Sequence, residues 1–254
     1  GAEWPLRGAG HGPWIMGRTL PGKIVYRVDD HSPMTRPDLY PVSGRSHRLP
    51  GKRQGVMMTS PIVVFDLDGV LLDFESAWAQ CAAWELGRPV RKVSEAYDLQ
   101  ERFALSAREW HRVWTAFHRD AWWERVPTHD SAWDTVCALE DRGASIWAVT
   151  NVEARWSEAR AISLGGLIPS GRIVCMGEDA SPHDRAEMLN DLGAQAFVDD
   201  QSPNVNAAVG AVAVPVLLHR NYREMDPPAH GVTVIDDLGD FPETLHGLIS
   251  RLSA

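Results

Sequence analysis

Residues 61–74 read PIVVFDLDGVLLDF. Ile62–Phe65 is an unbroken run of β-branched and aromatic residues, the composition of a strand buried on both faces. It ends on Asp66 and Asp68, spaced so that strand alternation turns both carboxylates to one side. Gly69 follows, and lets the chain leave the strand through dihedrals that other residues resist. A turn has no use for such a pair of like charges. At the end of a central strand in an open parallel sheet, where such folds hold ligands, two carboxylates call for a cation. A hard divalent ion such as Mg²⁺ takes oxygen ligands and recruits substrate phosphate. With it in place, one aspartate can attack phosphorus, and the other can protonate the leaving oxygen and then activate water.

Downstream of Pro61, candidate strands and helices alternate. The pattern predicts strands at Ile62–Phe65, Ser145–Val149, Arg172–Cys175, Ala196–Val198, Val214–Leu218 and Val232–Ile235. Helices are predicted at Ser131–Arg142, Glu153–Leu164, Pro182–Leu192, Asn204–Val209 and Phe241–Leu252. Such alternation means an α/β fold, a Rossmann-like and mostly parallel sheet flanked by helices. Two later strand ends also carry chemistry. IWAVTN (146–151) ends on Thr150 and Asn151, a hydroxyl and an amide suited to phosphate oxygens. AFVDDQSPN (196–204) carries Asp199 and Asp200, a second acidic pair suited to completing a metal shell.

Between the first two strands, residues of about 75–127 read as a wholly helical insertion. Ser106 and Glu109 stand in capping-box spacing, and Trp110, Val113, Trp114 and Phe117 form an amphipathic stripe. Six of the eleven tryptophans lie from Trp78 to Trp123. Such density either packs a small bundle or stacks a flat substrate, and the general use of Trp as packing material favours the bundle.

The chain from Pro61 onward resembles the haloacid dehalogenase-like superfamily, mostly phosphatases and phosphotransferases. DLDGV (66–70) is similar to its first motif, the apolar run ending in Thr150-Asn151 to its second, and FVDD (197–200) to its fourth. The resemblance implies that Asp66 is the nucleophile and Asp68 the general acid/base. It also implies that Mg²⁺ is held by Asp66 and Asp199, with Asp200 as a further candidate, and by the Asp68 backbone carbonyl. The insertion matches the family's first type of cap. Dehalogenases of the family normally lack the second aspartate of the first motif, so Asp68 favours phosphorus chemistry. The family's third motif is a lysine, and here the last lysine is Lys92, inside the insertion. Arg185, at about the right distance before FVDD, is the candidate stand-in and phosphate ligand, ahead of Arg172, which opens a strand. Arginine keeps the charge without a lysine's point-like geometry.

The 254 residues are 44% hydrophobic and 23% charged, a globular composition. Charge divides unevenly. Residues 1–56 hold nine Lys/Arg against four Asp/Glu, and the remainder 16 against 30, balances of +5 and −14 within the overall −9. The first segment is rich in Gly, Pro and Arg, with one candidate strand at Lys23–Val28, and reads as a poorly ordered basic extension ahead of a 57–254 core. No run approaches the ~20 apolar residues of a membrane span, and no signal-peptide apolar region is evident, so a cytoplasmic protein without membrane contact is expected. Cys81, Cys137 and Cys175 are far apart and read as buried reduced thiols. The HD dipeptides at residues 129 and 183 open predicted helices, where Asp is favoured. HRNYRE (219–224) follows a strand end from which it could reach a substrate, with a solvated loop the favoured reading. The expected activity is a Mg²⁺-dependent phosphohydrolase acting on a small phosphorylated substrate, a nucleotide or sugar phosphate, through an aspartyl phosphate. The alternatives are a catalytically weak binding or regulatory protein, and a phosphatase of nucleic-acid ends gripped by residues 1–56. The sequence does not state an oligomeric state.

Overall fold

The computed structural model describes residues 60–252 except Glu224, with side chains described as far as residue 247. The basic segment 1–56, its candidate strand and the nucleic-acid grip assigned to it lie outside the described residues. β1 (Ile62–Phe65) is followed by four helices, α1 (Phe74–Leu86), α2 (Leu99–Arg102), α3 (Ala107–Arg119) and α4 (Ala132–Asp141). The chain continues through β2 (Ser145–Thr150), α5 (Ser157–Ser163), β3 (Ile173–Cys175), α6 (Pro182–Leu192) and β4 (Ala196–Asp199). It ends with α7 (Ser202–Ala207), β5 (Val214–Leu218), β6 (Thr233–Ile235) and α8 (Phe241–Leu252).

All six strands are parallel, in the order β3-β2-β1-β4-β5-β6. The sheet is the predicted Rossmann-like α/β architecture. After β3 the chain crosses back and lays β4 on the free side of β1, so the winding reverses between those two strands. A crevice forms at such a reversal, at the carboxyl ends of the strands. Asp66 follows β1 and Asp199 ends β4, so both reach that crevice. The Asp66 N–H extends the ladder by donating to Val198 O at 2.9 Å.

β1 is buried on both faces, as its unbroken apolar run requires. Val63 and Phe65 pack in the larger core with Val136 and Leu139 of α4 and Phe241 of α8, while Val64 packs with Leu189 and Phe197 in the opposite layer. Phe65 meets Phe241 edge-on, centroids 5.6 Å apart. α7 starts two residues earlier than predicted because Pro203 sits in its first turn, where a missing N–H costs nothing. The predicted Glu153–Leu164 helix divides into a tight turn at Ala154–Trp156 and α5.

The segment between β1 and β2 is less helical than its sequence suggests. α1 stops at Gly87 in the left-handed conformation, and no helix forms again until Leu99. Pro89 biases Arg88 away from helix, and Val90 and Val93 are stiff β-branched residues without an apolar stripe. α3 behaves as predicted: its capping box forms, Val113 and Phe117 are buried, and Trp110 and Trp114 pack against the core. Cys81 is buried and Cys175 half-buried, but Cys137 is exposed, contrary to expectation. The buried face of α4 is Ala132, Thr135, Val136 and Leu139, and Cys137 falls on the other side. Among the described residues no helix is long and apolar enough to cross a membrane.

The N-terminus of α6 is fixed by a reciprocal pair: Ser181 Oγ accepts from the Asp184 N–H at 3.2 Å, and Asp184 Oδ2 accepts from the Ser181 N–H at 2.8 Å. Ser181→Ala is expected to cost about 1 kcal/mol, read as a lower urea midpoint with an unchanged slope. An unshifted midpoint would mean that Pro182 and packing set this terminus without the hydroxyl.

Candidate active site

The two carboxylates after β1 diverge. Asp66, Asp199 and Asp200 are buried together, with one oxygen of each within 4.8 Å of the others. Asp68 is partly exposed and turns to Arg160, whose Nη2 donates to Asp68 Oδ1. Gly69 makes this arrangement possible. Its φ is +84°, and a Cβ there would stand 2.0 Å from Asp200 Oδ2. Any side chain at Gly69 would both strain the turn and displace Asp200.

Arg185, only 2% exposed, reaches the cluster from the first turn and a half of α6. Its Nη1 donates to Asp66 Oδ1 at 2.6 Å and to Asp199 Oδ2 at 2.8 Å, and its Nη2 to Asn151 Oδ1 at 2.6 Å. Arg185 thus binds the carboxylates directly, the place the sequence assigns to a stand-in cation, while Arg172 does not open a strand but ends the tight turn Ser170–Arg172 just before β3. Asn151 has one amide hydrogen on Ala180 O at 3.0 Å, which fixes its plane and leaves the second amide hydrogen for a ligand. Asp199 is held further by the Gln201 N–H at 2.8 Å and Asn204 Nδ2 at 3.0 Å. Asp66, Asp68, Thr150, Asn151, Arg185 and Asp200 line one cavity of about 970 Å³ between the sheet and the helical insertion.

Three buried carboxylates face one guanidinium here, and the electrostatics reflect it. Burial and the neighbouring Asp199 charge push Asp66 well above the usual carboxylate range, with Arg185 only partly offsetting them. Burial raises Asp199 against the pull of Arg185. Burial and then the Asp199 charge raise Asp200 to about 7. Burial works against the Arg185 charge, but Asp66 and Asp199 outweigh it and hold the guanidinium firmly protonated. Asp200 Oδ2 accepts from Tyr222 Oη at 2.6 Å, whereas Asp200 Oδ1 is buried without a hydrogen-bond partner among the described residues. An orphaned carboxylate oxygen beside two others is a donor set that fits a hard divalent cation.

The sequence does not foresee four neighbours of the site. Arg220 Nε donates to Gly69 O at 2.7 Å, and Tyr222 holds Asp200, so two residues of HRNYRE turn into the site while His219, Asn221 and Arg223 are exposed as a solvated loop predicts. Asn204 supports Asp199 from α7. Arg160 is fully buried and lies over the Trp123 ring at 5.2 Å, joining Asp68 to the insertion. Its signal in the sequence is slight: Arg160 stands four residues from Trp156 and from Leu164, a charge in an otherwise apolar row.

No protein-family model matches the chain, and no curated protein matches it in sequence. Solved structures match its fold. A HAD family hydrolase from Deinococcus radiodurans R1, solved with bound phosphate and sodium, aligns at 19% identity over 75% of this chain and 96% of its own, with a TM-score of 0.53. A haloacid dehalogenase-like family hydrolase from Xanthomonas campestris aligns at 14% identity over 76% and 97%, with a TM-score of 0.51. L-2-haloacid dehalogenase from Xanthobacter autotrophicus aligns at 16% identity over 74% and 99%, also at 0.51. With its strand order, switch-point carboxylates and helical insertion after β1, the chain has the fold of the haloacid dehalogenase-like hydrolases.

Proposed function

We propose that the protein is a Mg²⁺-dependent phosphohydrolase that cleaves a phosphate monoester through an aspartyl phosphate on Asp66. The observation that carries this reading is the buried group of Asp66, Asp199 and Asp200, one oxygen orphaned, with Arg185 bound among them. The phosphate and sodium bound to the Deinococcus radiodurans hydrolase support it by analogy of fold. The side chains of Asp66, Asp199 and Asp200 and the Asp68 backbone carbonyl would hold Mg²⁺. The ion would neutralise the carboxylates and the phosphate oxygens, which otherwise repel each other.

A carboxylate oxygen of Asp66 attacks phosphorus as the bond from phosphorus to the leaving oxygen breaks, and Asp68 gives that oxygen its proton. Water then attacks the phosphoryl group while Asp68 takes its proton back, the bond to Asp66 breaks, and inorganic phosphate leaves. Arg160 orients Asp68 for both proton transfers. Thr150, the second Asn151 amide hydrogen and Arg185 stabilise the moving phosphoryl charge. The insertion acts as a cap that excludes bulk water from this exchange.

Phosphate release from an aryl phosphate by the full chain is expected with Mg²⁺ and expected to stop on chelation. Release that persists at the same rate after chelation would overturn the metal-dependent reading. The presence of Asp68 favours phosphatase over dehalogenase chemistry, so chloride release from a 2-chloroalkanoate is expected to stay at background.

A further inference from the structure

The cavity is larger and more aromatic than a phosphate group needs. Its volume of about 970 Å³ lies at the upper end for pockets that enclose small organic ligands. The carboxylates occupy one region of its lining. Phe74, Trp110, Trp114, His118 and Trp123 from the insertion occupy another. Some of these rings are close to parallel and others cross: Trp110 stands 72° from Trp114, and Trp123 lies 33° from Trp114 and 42° from His118. Phe74 lies 26° from the plane of Trp114 and 24° from that of Trp123, and Trp114 lies 23° from His118. Trp123 Nε1 donates to His118 Nδ1 at 3.1 Å, which fixes the imidazole with its proton on Nε2. Trp110 and Trp114 pack against the core on one side, yet both remain only partly buried where they line the cavity.

If these rings served packing alone, the insertion would close over them, because burying aromatic area is favourable. Instead Trp110 and Trp114 keep part of their rings open to the same space as the buried carboxylates. Arg102 lines this cavity as well. It is 3% exposed, its Nε and Nη1 are taken by Ala96 O and Glu75, and its Nη2 is buried with no partner among the described residues. A ligand carrying both a flat ring and hydrogen-bond acceptors would satisfy both features. A sugar phosphate supplies acceptors but no flat aromatic ring.

We infer that the aromatic wall around Trp114 is a ring-binding subsite, and that the substrate is a phosphomonoester whose leaving group carries a heteroaromatic ring, of the nucleoside monophosphate class. This rests on the phosphohydrolase reading for its chemistry, while the subsite itself stands on geometry. Stacking on aromatic side chains accepts any base, so the wall selects for a ring and not for one base.

Adenosine 5′-monophosphate and ribose 5-phosphate test this, since they share sugar and phosphate and differ by the ring. With Mg²⁺-loaded full chain, kcat/KM is expected to favour the nucleotide by about tenfold or more. Calorimetric binding to Asp66→Asn, which needs no turnover, is expected to show a similar preference. Trp114→Leu is expected to shrink both ratios. Tighter binding of the nucleotide without hydrolysis of either compound would leave the subsite standing and sink the phosphohydrolase. Equal hydrolysis and equal binding of the two would do the reverse. The wild-type comparison decides the matter even if the Trp114 variant fails to fold.

Discussion

Asp66→Asn is expected to lower phosphate release by about 10⁴-fold or more, the scale seen when a nucleophile is removed from a cooperative catalytic set. The amide nitrogen that replaces one carboxylate oxygen neither attacks phosphorus at a useful rate nor carries the charge that draws in a cation. The size and shape of the side chain hardly change, so the loss is chemical. Stability offers an independent check. Three buried carboxylates face the single Arg185 guanidinium, and burial together with the Asp199 charge already works against ionised Asp66. Removing that charge relieves repulsion while Arg185 keeps Asp199 and Asn151 as partners. The thermal midpoint of the metal-free variant is therefore expected to be unchanged or higher. Activity within tenfold of the wild type would rule out Asp66 as nucleophile. Inactivity with a collapsed midpoint would point to a structural role.

How much of this site was legible in the sequence depends on the range of the contacts that build it. Asp66, Thr150, Asn151 and Asp199 stand where apolar runs stop, so their place at the carboxyl edge of a parallel sheet follows from strand periodicity and alternation. Gly69 is legible for the same reason, although the close approach of Asp200 that demands it is visible only in three dimensions. Arg185 is harder, because spacing alone picks it and an arginine near a helix start is ordinarily a surface residue. The well-signed Ser181-Pro182 start of α6 sets the phase that turns it inward. Arg160 was beyond reach, and Arg220 and Tyr222 stand in a strand-end segment that the sequence leaves open between substrate contact and solvent, with solvent favoured. Arg160 meets Asp68 across 92 positions, and Tyr222 meets Asp200 only because β5 delivers the following loop to the crevice. The helical insertion shows the opposite failure. Its stripe predicts α3 well, but the Gly87–Asp98 connection has no periodicity to read, and it is held by hydrogen bonds such as Val93 N–H to Arg102 O, Arg102 Nε to Ala96 O and Arg223 N–H to Glu95 O.

Arg185→Met is expected to damage both stability and activity, because it leaves Asp66 and Asp199 buried without their counter-charge. Breaking a buried ion pair by removing one partner costs about 3–5 kcal/mol, and both carboxylates share this one guanidinium nitrogen at 2.6 and 2.8 Å. Saturating Mg²⁺ is expected to return part of that loss, about 2.7 kcal/mol when the ion stands at 100 times its dissociation constant, because it supplies positive charge to the same oxygens. Activity of the metal-loaded variant is nonetheless expected to stay about 10²- to 10³-fold low, as when one preorganised donor to a developing charge is lost. Arg185→Lys separates charge from geometry. It keeps a cation for Asp66 and Asp199 but gives up the parallel donor to Asn151 Oδ1. Stability near the wild type and activity within about tenfold of it would show that charge among the carboxylates is what the site requires. A lysine variant as stable as the wild type but as inactive as Arg185→Met would instead make the hold on Asn151 the decisive contact, and the chain would then need an arginine where the family it resembles uses a lysine.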